Sequence, residues 1–319
     1  MNIEKYNYKN LVLQGGGVKG FAHIGVVKKL EEIGLMNNIQ RFAGTSVGAL
    51  IASLLVIGFN ADEIFEQKGK IDFSVFKVGS LTTALYRIWK NYGIHEINTL
   101  QKQIESIIET KIDPNITLGE LYSLTNKDLV IVTCCLNKES AVYLHHSKFP
   151  NVKLIEAITS SMCVPMMFFP KKYNFLHDEK DLFVDGGIID NFPLFVFNDL
   201  QKLEKGDIDS IDKLRISKHT LGVKLICKLN DNDHIRPYRK PIRSIMDFSL
   251  SLLNSMMSQS EHTIYQSHVY SKHTILVPTE NIYFLEPDLT SIKIRQLIQN
   301  GEDSVEKYFG IEQEEKKDD

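Results

Sequence analysis

The sequence predicts an α/β fold in which a mainly parallel central sheet carries helices on both faces. Short apolar segments alternate with stretches of helical periodicity from the first residues onward, and the first two of these segments each run into a glycine-containing turn that opens a helix. The chain has 319 residues, 43% of them hydrophobic, which is enough to bury a substantial core. This composition excludes a disordered chain, a collagen and a coiled coil.

The first strand–turn–helix unit extends to Gly34. The apolar segment Asn10–Gln14 predicts a strand, and Gly15–Gly20 is the turn after it. Gly34 is expected to end the helix that follows, whose apolar residues share one face: Ile24, Val27, Leu30 and Ile33.

The second unit is more apolar than the first. Ile39–Ala43 predicts a strand that turns at Gly44 into a helix over Val47–Ile57. That helix is apolar nearly all round, so we expect it to lie inside the fold rather than on its surface. Gly58 is the expected residue just past its last turn.

Caps and periodicity predict the later elements. Asn60 with Glu63, and Asn98 with Gln101, match the capping-box pattern and predict two helix starts. The other predicted elements are paired strands at Leu129–Leu136 and Ala141–His145, a helix at Val152–Met162, strands at Leu182–Val184, Leu221–Leu229 and Thr274–Pro278, and helices from Pro241 to about Ser271 and from Ser291 to Phe309.

Charge and cysteine usage narrow the function classes. With 37 Lys+Arg and 40 Asp+Glu the formal charge is −3, which excludes the strongly basic surface of a general nucleic-acid binder. The four cysteines lack CxxC spacing, so we expect reduced intracellular thiols. No signal peptide or transmembrane segment is recognisable, because the start is polar and the longest apolar stretch, Val47–Phe59, falls short of about 20 residues. We therefore predict a cytoplasmic protein.

The segment Gly44-Thr45-Ser46-Val47-Gly48 matches the pattern G-x-S-x-G at a strand-to-helix junction. That context is typical of a nucleophilic serine, because small flanking residues allow a tight turn that projects the hydroxyl out of the sheet. The helix after it also directs its positive end towards developing negative charge. The alternative is a structural serine at a helix N-terminus.

The glycine-rich turn has two interpretations. Gly15, Gly17 and Gly20 satisfy the dinucleotide-binding pattern G-x-G-x-x-G, but the second strand ends at Ser46 without the acidic residue that would bind the ribose. A phosphate-binding P-loop is excluded, since Lys and Ser/Thr do not follow Gly20. In the other interpretation the N–H groups of this turn form an oxyanion hole beside the loop that carries Ser46.

The base that would activate Ser46 is not an obvious histidine. None of the ten histidines stands in a recognisable catalytic pattern, and each is typical of a core or surface position. Asp185-Gly186-Gly187 instead places a carboxylate at a strand end followed by glycines, where it could accept the serine proton directly. An aspartate that caps an ordinary glycine turn is the alternative.

These three motifs, in this order, resemble the patatin-like phospholipase family of serine–aspartate lipid acyl hydrolases. The resemblance covers about residues 9 to 200 and includes the segments Gly20–Gly25, Ser161–Pro165 and Asp185–Pro193. One departure is Met162-Cys163, where small residues are more usual in the family.

Position by position, the resemblance implies Ser46 as the nucleophile and Asp185 as the general base, with no cofactor and no metal, calcium included. It implies an oxyanion hole from the backbone of Gly15, Gly16, Gly17 and Val18. It also implies supporting roles for Lys19, where the family has Arg or Lys, and for Gly20, Gly44, Gly48, Gly186, Gly187 and Asn191. Such a dyad requires an aspartate that is partly desolvated and held by hydrogen bonds.

The expected activity is hydrolysis of carboxylic esters in phospholipids, of the phospholipase A or lysophospholipase type. The competing hypotheses are a nucleotide-binding Rossmann-type protein that uses Gly15–Gly20, and a catalytically inactive patatin-like interaction scaffold. The expected partner is a phospholipid or other acyl lipid, with peripheral contact at a membrane left open. No nucleic acid is expected, and nothing in the sequence indicates an oligomeric state.

Two apolar segments are candidates for lipid contact. Val164–Phe169 provides either walls for an acyl chain or plain core packing. Ile71–Tyr92 is aromatic and basic, so it is either a lid or interfacial helix or an ordinary amphipathic helix.

The sequence predicts one patatin-like catalytic domain over residues 1–310. Its motif-bearing core covers about 9–200, and a strand and helix extension covers about 201–310. The charged tail at 311–319 is expected to fray. The weakly periodic segment Leu203–Lys218 is either a surface excursion or a soft boundary.

Overall fold

The computed structural model describes residues 6–176, 181–226, 272–279 and 282–311, together with single positions between 242 and 255. Its strands, in chain order, are β1 (Asn10–Leu13), β2 (Arg41–Thr45), β3 (Gly93–His95), β4 (Asp128–Cys135), β5 (Ser140–Leu144), β6 (Met166–Phe168), β7 (Lys171–Lys172), β8 (Leu182–Asp185), β9 (Thr220–Ile226) and β10 (Thr274–Pro278). Its helices are α1 (Phe21–Glu32), α2 (Val47–Ile57), α3 (Ala61–Glu66), α4 (Leu81–Asn91), α5 (Asn98–Ile108), α6 (Leu118–Thr125), α7 (Leu154–Ser161), α8 (Leu200–Glu204) and α9 (Ser291–Phe309).

The central sheet is mainly parallel, which confirms the predicted fold class. Among the described residues it has eight strands in the order β10–β9–β1–β2–β4–β8–β7, with β5 also paired to β4. The strands from β10 to β4 run parallel, whereas β5 and β8 are antiparallel to β4, and β7 is antiparallel to β8. A separate parallel pair joins β3 and β6.

Both faces of the sheet are buried. Leu11 and Leu13 pack into a large apolar cluster with α1, α2, α5, α7 and α9, whereas Val12 between them packs into a second cluster on the opposite face. That second cluster contains α8 and three apolar residues of the weakly periodic segment: Leu203, Ile208 and Ile211. The first part of this segment is therefore buried against the sheet and is not a surface excursion.

The elements predicted up to residue 66 are confirmed. The bounds of β1, α1, β2 and α2 agree with the predictions to within a few residues. Gly34 and Gly58 have φ angles of +75° and +102°, the left-handed conformation that glycine adopts easily after a helix. The capping box of Asn60 and Glu63 is present at the start of α3.

The second predicted capping box is wrong. The residue that precedes α5 is Ile97, so Asn98 is already inside the helix and cannot cap it. The Asn98 side chain instead donates to Glu96, and Gln101 donates to Glu105 at 2.9 Å.

Two predicted segments lie outside the continuous described ranges. They are the helix from Pro241 to about Ser271 and the charged tail from residue 312. A third predicted segment, the strand Leu221–Leu229, is described as far as Ile226. Within the described residues, no helix combines the length and apolarity needed to cross a membrane.

Candidate active site

The candidate site lies at the carboxyl ends of β2 and β8, the two strands that flank β4. β2 runs parallel to β4 and pairs Thr45 with Val132, whereas β8 runs antiparallel and pairs Asp185 with Thr133. The carboxyl ends of β2 and β8 therefore reach neighbouring positions on β4 from opposite directions. Because Ser46 follows Thr45 directly, this register brings Ser46 close to Asp185.

Ser46 has a strained backbone between β2 and α2. Its φ of 55° and ψ of −125° are unusual for a residue with a side chain, and such conformations cost of order 1–3 kcal/mol. The turn is held because Ser46 N–H donates a 2.8 Å hydrogen bond to Ser161 Oγ, which donates to Val132 O at 2.5 Å. Ser161 is thus a positioning residue, and the only sequence signal for it is its place in the segment Ser161–Pro165.

Three glycines allow chain segments to approach closely around Ser46. A Cβ on Gly44 would overlap the backbone of Gly48, and a Cβ on Gly48 would overlap the backbone of β1. A Cβ on Gly15 would overlap the Asn191 side chain and lie 3.2 Å from Ser46 Cβ. No side chain fits at these positions, so the glycines of both motifs make room for the turn at Ser46.

Asp185 ends β8 and is buried, with 3% of its surface exposed. Gly187 N–H donates to Asp185 Oδ1 at 2.8 Å, and the Ser46 hydroxyl hydrogen-bonds to the same carboxylate. Burial raises the pKa of Asp185 to about 6, against the effect of these two hydrogen bonds, which lower it. Asp185 is therefore a stronger base than a solvated aspartate, and it is ionised at neutral pH.

The loop after Asp185 is tied to its surroundings by Gly186 and Asn191. A Cβ on Gly186 would overlap Val132 O, so the chain passes directly over β4 at this point. Gly15 N–H donates to Asn191 O at 3.1 Å, and Asn191 Nδ2 donates to Gly15 O at 3.3 Å. These bonds join the loop after Asp185 to the glycine-rich turn.

The glycine-rich turn offers fewer free donors than the sequence led us to expect. Gly15 N–H is used as just described, and Val18 N–H donates to Phe284 O at 2.9 Å. The N–H groups of Gly16 and Gly17 have no acceptor among the described residues. Of the four expected oxyanion donors, only the N–H groups of Gly16 and Gly17 therefore remain candidates among the described residues.

Lys19 and Gly20 belong to a short 3₁₀ helix, Gly17–Gly20, that leads into α1. Lys19 N–H donates to Gly16 O at 3.2 Å, which closes the turn. A Cβ on Gly20 would overlap Val47, so this glycine admits the residue that follows Ser46.

His23 is a buried residue of α1 that the sequence did not single out. Its Nε2–H donates to Gln14 O at 2.8 Å and so fixes the last residue before the glycine-rich turn. Burial lowers the pKa of His23 to about 4, so the ring is neutral at physiological pH.

An apolar pocket is lined by Val47, the residue directly after Ser46, whereas Ser46 and Asp185 themselves do not line it. Because of this adjacency we call it the pocket beside Ser46. It is bounded by the glycine-rich turn, α1, α2, α3, α5 and the segment before α4, and its lining includes Val18, Val47, Leu50, Leu54, Phe76 and Met162. Met162 is one of the two residues at which the chain departs from the family pattern.

For Val164–Phe169 the sequence left two alternatives, acyl-chain walls and core packing. None of these residues lines the pocket beside Ser46. Met167 and Phe168 are buried in the core, because β6 pairs with β3 and packs inwards. Core packing therefore holds for Met167 and Phe168, whereas the other four residues of the segment are partly exposed.

Asp128, His145 and His146 form the one group among the described residues whose donor atoms could hold a metal ion, with those atoms within 4.8 Å of one another. Each histidine places Nε2 3.2 Å from Asp128 Oδ1, and Arg41 Nε lies 3.3 Å from Asp128 Oδ2. Asp128 begins β4, whereas Thr133 beside the candidate site is near its end. The cluster therefore lies away from Ser46, and hydrogen bonds already account for its geometry.

The chain is similar to known proteins in sequence. The family model of the patatin-like phospholipases matches residues 11–198. The chain is 28% identical over 309 residues to uncharacterized protein R571 of Acanthamoeba polyphaga mimivirus, which covers 96% of this chain and 95% of that protein. It is 28% identical over 193 residues to probable lipid hydrolase 463L of Invertebrate iridescent virus 6, which covers 59% of this chain and 62% of that protein.

A solved structure supports the fold. The crystal structure of VipD from Legionella pneumophila superposes with a TM-score of 0.58 at 16% identity, over 95% of this chain and 67% of that one. The Rossmann-type hypothesis is not favoured, because the second strand ends at Thr45, without an acidic residue there, and Val18 N–H is engaged within the fold. Because the family model matches more than half of the residues of the chain, the chain belongs to the patatin-like phospholipase family.

Proposed function

We propose that this chain is a lipid acyl hydrolase that cleaves carboxylic esters of phospholipids, of the phospholipase A or lysophospholipase type. The observation that carries the proposal is the hydrogen-bonded pair of Ser46 and Asp185 beside an apolar pocket, with burial raising the pKa of Asp185 to about 6. A lipid substrate is also supported by the viral relative named a probable lipid hydrolase.

In the proposed mechanism Ser46 Oγ attacks the ester carbonyl carbon while its proton passes to Asp185. The carbonyl oxygen becomes an oxyanion that accepts hydrogen bonds from the N–H groups of Gly16 and Gly17, each worth about 3 kcal/mol when aimed at it. Collapse of this intermediate expels the alcohol, which takes the proton from Asp185, and leaves an acyl ester on Ser46. Water then attacks that ester while Asp185 takes a proton from it, and collapse of the second intermediate returns this proton to Ser46 Oγ and releases the fatty acid.

The pocket favours the acyl chain of the substrate over its head group. Its lining is apolar except for Gln67 and Lys68, so a hydrocarbon chain gains free energy on entering it, whereas a phosphate would lose most of its hydration there. Val47 lines the pocket and follows the nucleophile directly, so an ester bound with its chain in the pocket has its carbonyl group near Ser46.

The mechanism needs no metal ion, because the backbone donors stabilise the oxyanion. We therefore expect calcium-independent hydrolysis. Release of fatty acid in EDTA at the same rate as in calcium would support this point, and loss of activity that calcium restores would contradict it.

The test of the function is fatty-acid release from a panel of phosphatidylcholine, lysophosphatidylcholine and triacylglycerol by the full chain and by Ser46→Ala. We expect release from the phospholipids by the wild type and none by Ser46→Ala. Release from triacylglycerol alone would contradict the phospholipid assignment. A folded wild-type chain that hydrolyses none of the acyl esters would instead favour the inactive interaction scaffold.

A further inference from the structure

Helix α4 presents apolar side chains to solvent. Leu81, Leu85 and Trp89 follow one another at intervals of four residues, which places them within an arc of about 80°. They are 53%, 45% and 79% exposed, and Tyr92 just after the helix is 64% exposed. We call these four residues the α4 face.

The α4 face is a patch rather than a set of scattered side chains. Among the described residues, six of the fourteen exposed large hydrophobic side chains lie between positions 78 and 92. Monomeric proteins rarely expose contiguous apolar surface on this scale unless it makes contacts.

The side of α4 that adjoins Leu81 is packed against the fold. Ala84 is buried, Ile88 packs against the core, and Arg87 Nη1 donates to Ile94 O at 3.1 Å. The helix is thus seated on the fold by one side while the α4 face points outwards. The exposed stripe is therefore not left over from a helix that lacks a place in the core.

The charges around the α4 face indicate an anionic lipid surface as its occupant. Arg87 and Lys90 are the only charged residues of α4, and both are basic. Lys90 Nζ lies 5.8 Å from the Tyr86 ring. A helix that exposes apolar side chains and whose only charges are basic fits an interfacial helix, whereas a second copy of this face would bring like charges together.

The α4 face also follows closely in the chain after residues that line the pocket beside Ser46. Phe76, five residues before α4, lines that pocket and contacts the core ring of Phe168 at a centroid distance of 6.1 Å. Ile71 lines it as well. A membrane that contacted α4 would therefore lie next to the segment that forms one wall of the pocket.

We propose that the α4 face docks on an anionic lipid bilayer and holds the pocket next to the membrane, so that the substrate enters as a lipid of that bilayer. Docking stands on the exposed face and its charges alone, whereas the route of the substrate rests on the proposed function. The two parts can be tested separately, because vesicle binding can be measured without catalysis.

Trp89 provides a direct probe, since it is the only tryptophan of the chain. We would add vesicles of phosphatidylcholine and phosphatidylserine to the Ser46→Ala variant, in which no hydrolysis alters the lipid. We expect tryptophan emission to shift to shorter wavelength and to be quenched by lipids with brominated acyl chains. We also expect weaker binding in high salt and on vesicles of phosphatidylcholine alone.

A matched pair of variants separates docking from general surface hydrophobicity. Leu81→Ser with Leu85→Ser keeps Trp89, and we expect it to weaken vesicle binding at least tenfold. Leu124→Ser, which removes a 64% exposed leucine from α6, is expected to leave binding unchanged. On a dispersed short-chain ester, the double variant with Ser46 intact should retain its rate within about twofold.

Several outcomes would overturn docking. They are an emission spectrum unchanged by vesicles, equal losses of vesicle binding in the α4 variant and the Leu124→Ser control, and a spectral shift that depends on protein concentration without lipid. The last result would identify a second copy of the chain as the occupant. If vesicles bind but the wild type releases no fatty acid, the proposed function fails while docking stands.

Discussion

Two polar clusters lie at opposite ends of β4, and they use similar residues in different ways. At the start of the strand, Ser147 Oγ lies 2.8 Å from His145 Nδ1, and His145 Nε2 lies 3.2 Å from Asp128 Oδ1. That is the residue set of a serine hydrolase triad. Near the end of the strand, Ser46 pairs with Asp185, and the described contacts of this pair include no histidine.

In the cluster with the histidine, the serine hydroxyl and the aspartate are both engaged in other interactions. Ser147 Oγ donates its proton to Leu203 O at 2.8 Å, so the hydroxyl is not available to be activated by His145. Burial alone would raise the pKa of Asp128, but hydrogen bonds and charges from His145, His146 and Arg41 hold it below its usual value. These interactions stabilise the ionised carboxylate and leave no driving force for proton uptake.

The cluster without the histidine has the features expected of a reactive site. Ser46 has a strained backbone, burial raises the pKa of Asp185 to about 6, and two N–H donors in the neighbouring turn have no acceptor within the part of the chain that the structure describes. The comparison teaches that strain, desolvation and free donors distinguish a candidate active site, and that the presence of Ser, His and Asp does not.

The largest expected difference between the two clusters is in their contribution to ester hydrolysis. Ser46→Ala should lower kcat/KM for a short-chain ester by at least about 10³-fold, because no nucleophile remains. Ser147→Ala should leave kcat/KM within about twofold of wild type. A comparable loss in the two variants would erase the distinction between the clusters.

Replacing the two aspartates should change stability in opposite directions. The pKa of Asp185 is raised in the folded chain from 3.8 to about 6, so its ionisation above that pH disfavours the folded state by about 3 kcal/mol. Stability falls as pH rises between these values, and Asp185→Asn removes this cost. We therefore expect a variant that is inactive but more stable at pH 7, by up to about 3 kcal/mol.

Asp128→Asn is the matched variant. Its loss of charged hydrogen bonds should lower the free energy of unfolding by about 1–3 kcal/mol while ester hydrolysis persists. Urea unfolding at pH 7 measures both changes. A destabilised Asp185→Asn variant would mean that the carboxylate stabilises the fold rather than being held there at a cost.

Several features of the candidate site at Ser46 and Asp185 could be predicted from the sequence because they are local. G-x-S-x-G and D-G-G each follow a strand, so Ser46 and Asp185 are recognisable from patterns of a few residues. The role of Ser161 is different, because its bond to Ser46 N–H joins residues 115 positions apart. The hydrogen bond from Val18 N–H to Phe284 O, which removes Val18 from the oxyanion donors, is likewise a long-range contact that no short pattern contains.

The pocket was not predictable for a related reason. Val164–Phe169 has the composition of an acyl-chain wall, but composition does not tell a strand that packs inwards from one that lines a cavity. The pairing of β6 with β3 decides between them, and that pairing is set by the tertiary fold. The exposed stripe of α4 was recognisable as an amphipathic pattern, whereas which apolar residues face solvent depends on how the helix is seated.

The pH dependence of hydrolysis should follow Asp185 alone. A general base must be ionised, so kcat/KM should fall about tenfold per pH unit as the pH drops below about 6 and level off above it. The Asp128→Asn variant should give the same profile. An acid limb that moved with Asp128 would connect the two clusters and contradict the separation described above.

A smaller effect is expected at the oxyanion donors. Gly16→Ala places a methyl group 2.5 Å from Leu225 Cδ1, a flexible side chain that can move, and should lower kcat by about tenfold with little change in KM. Gly17 is unsuited to this test, because its φ is +58° and a Cβ would overlap Phe284 O. A change confined to KM would make the turn a binding feature.

The most direct test of the central claim is the site of covalent labelling by a fluorophosphonate probe, mapped by mass spectrometry of peptides. We predict a single adduct on Ser46 in the wild type and in Asp128→Asn, no adduct on Ser147, and labelling slowed by at least about 10²-fold in Asp185→Asn. An adduct on another residue, or an unchanged labelling rate in Asp185→Asn, would contradict the assignment of Ser46 and Asp185 as nucleophile and base.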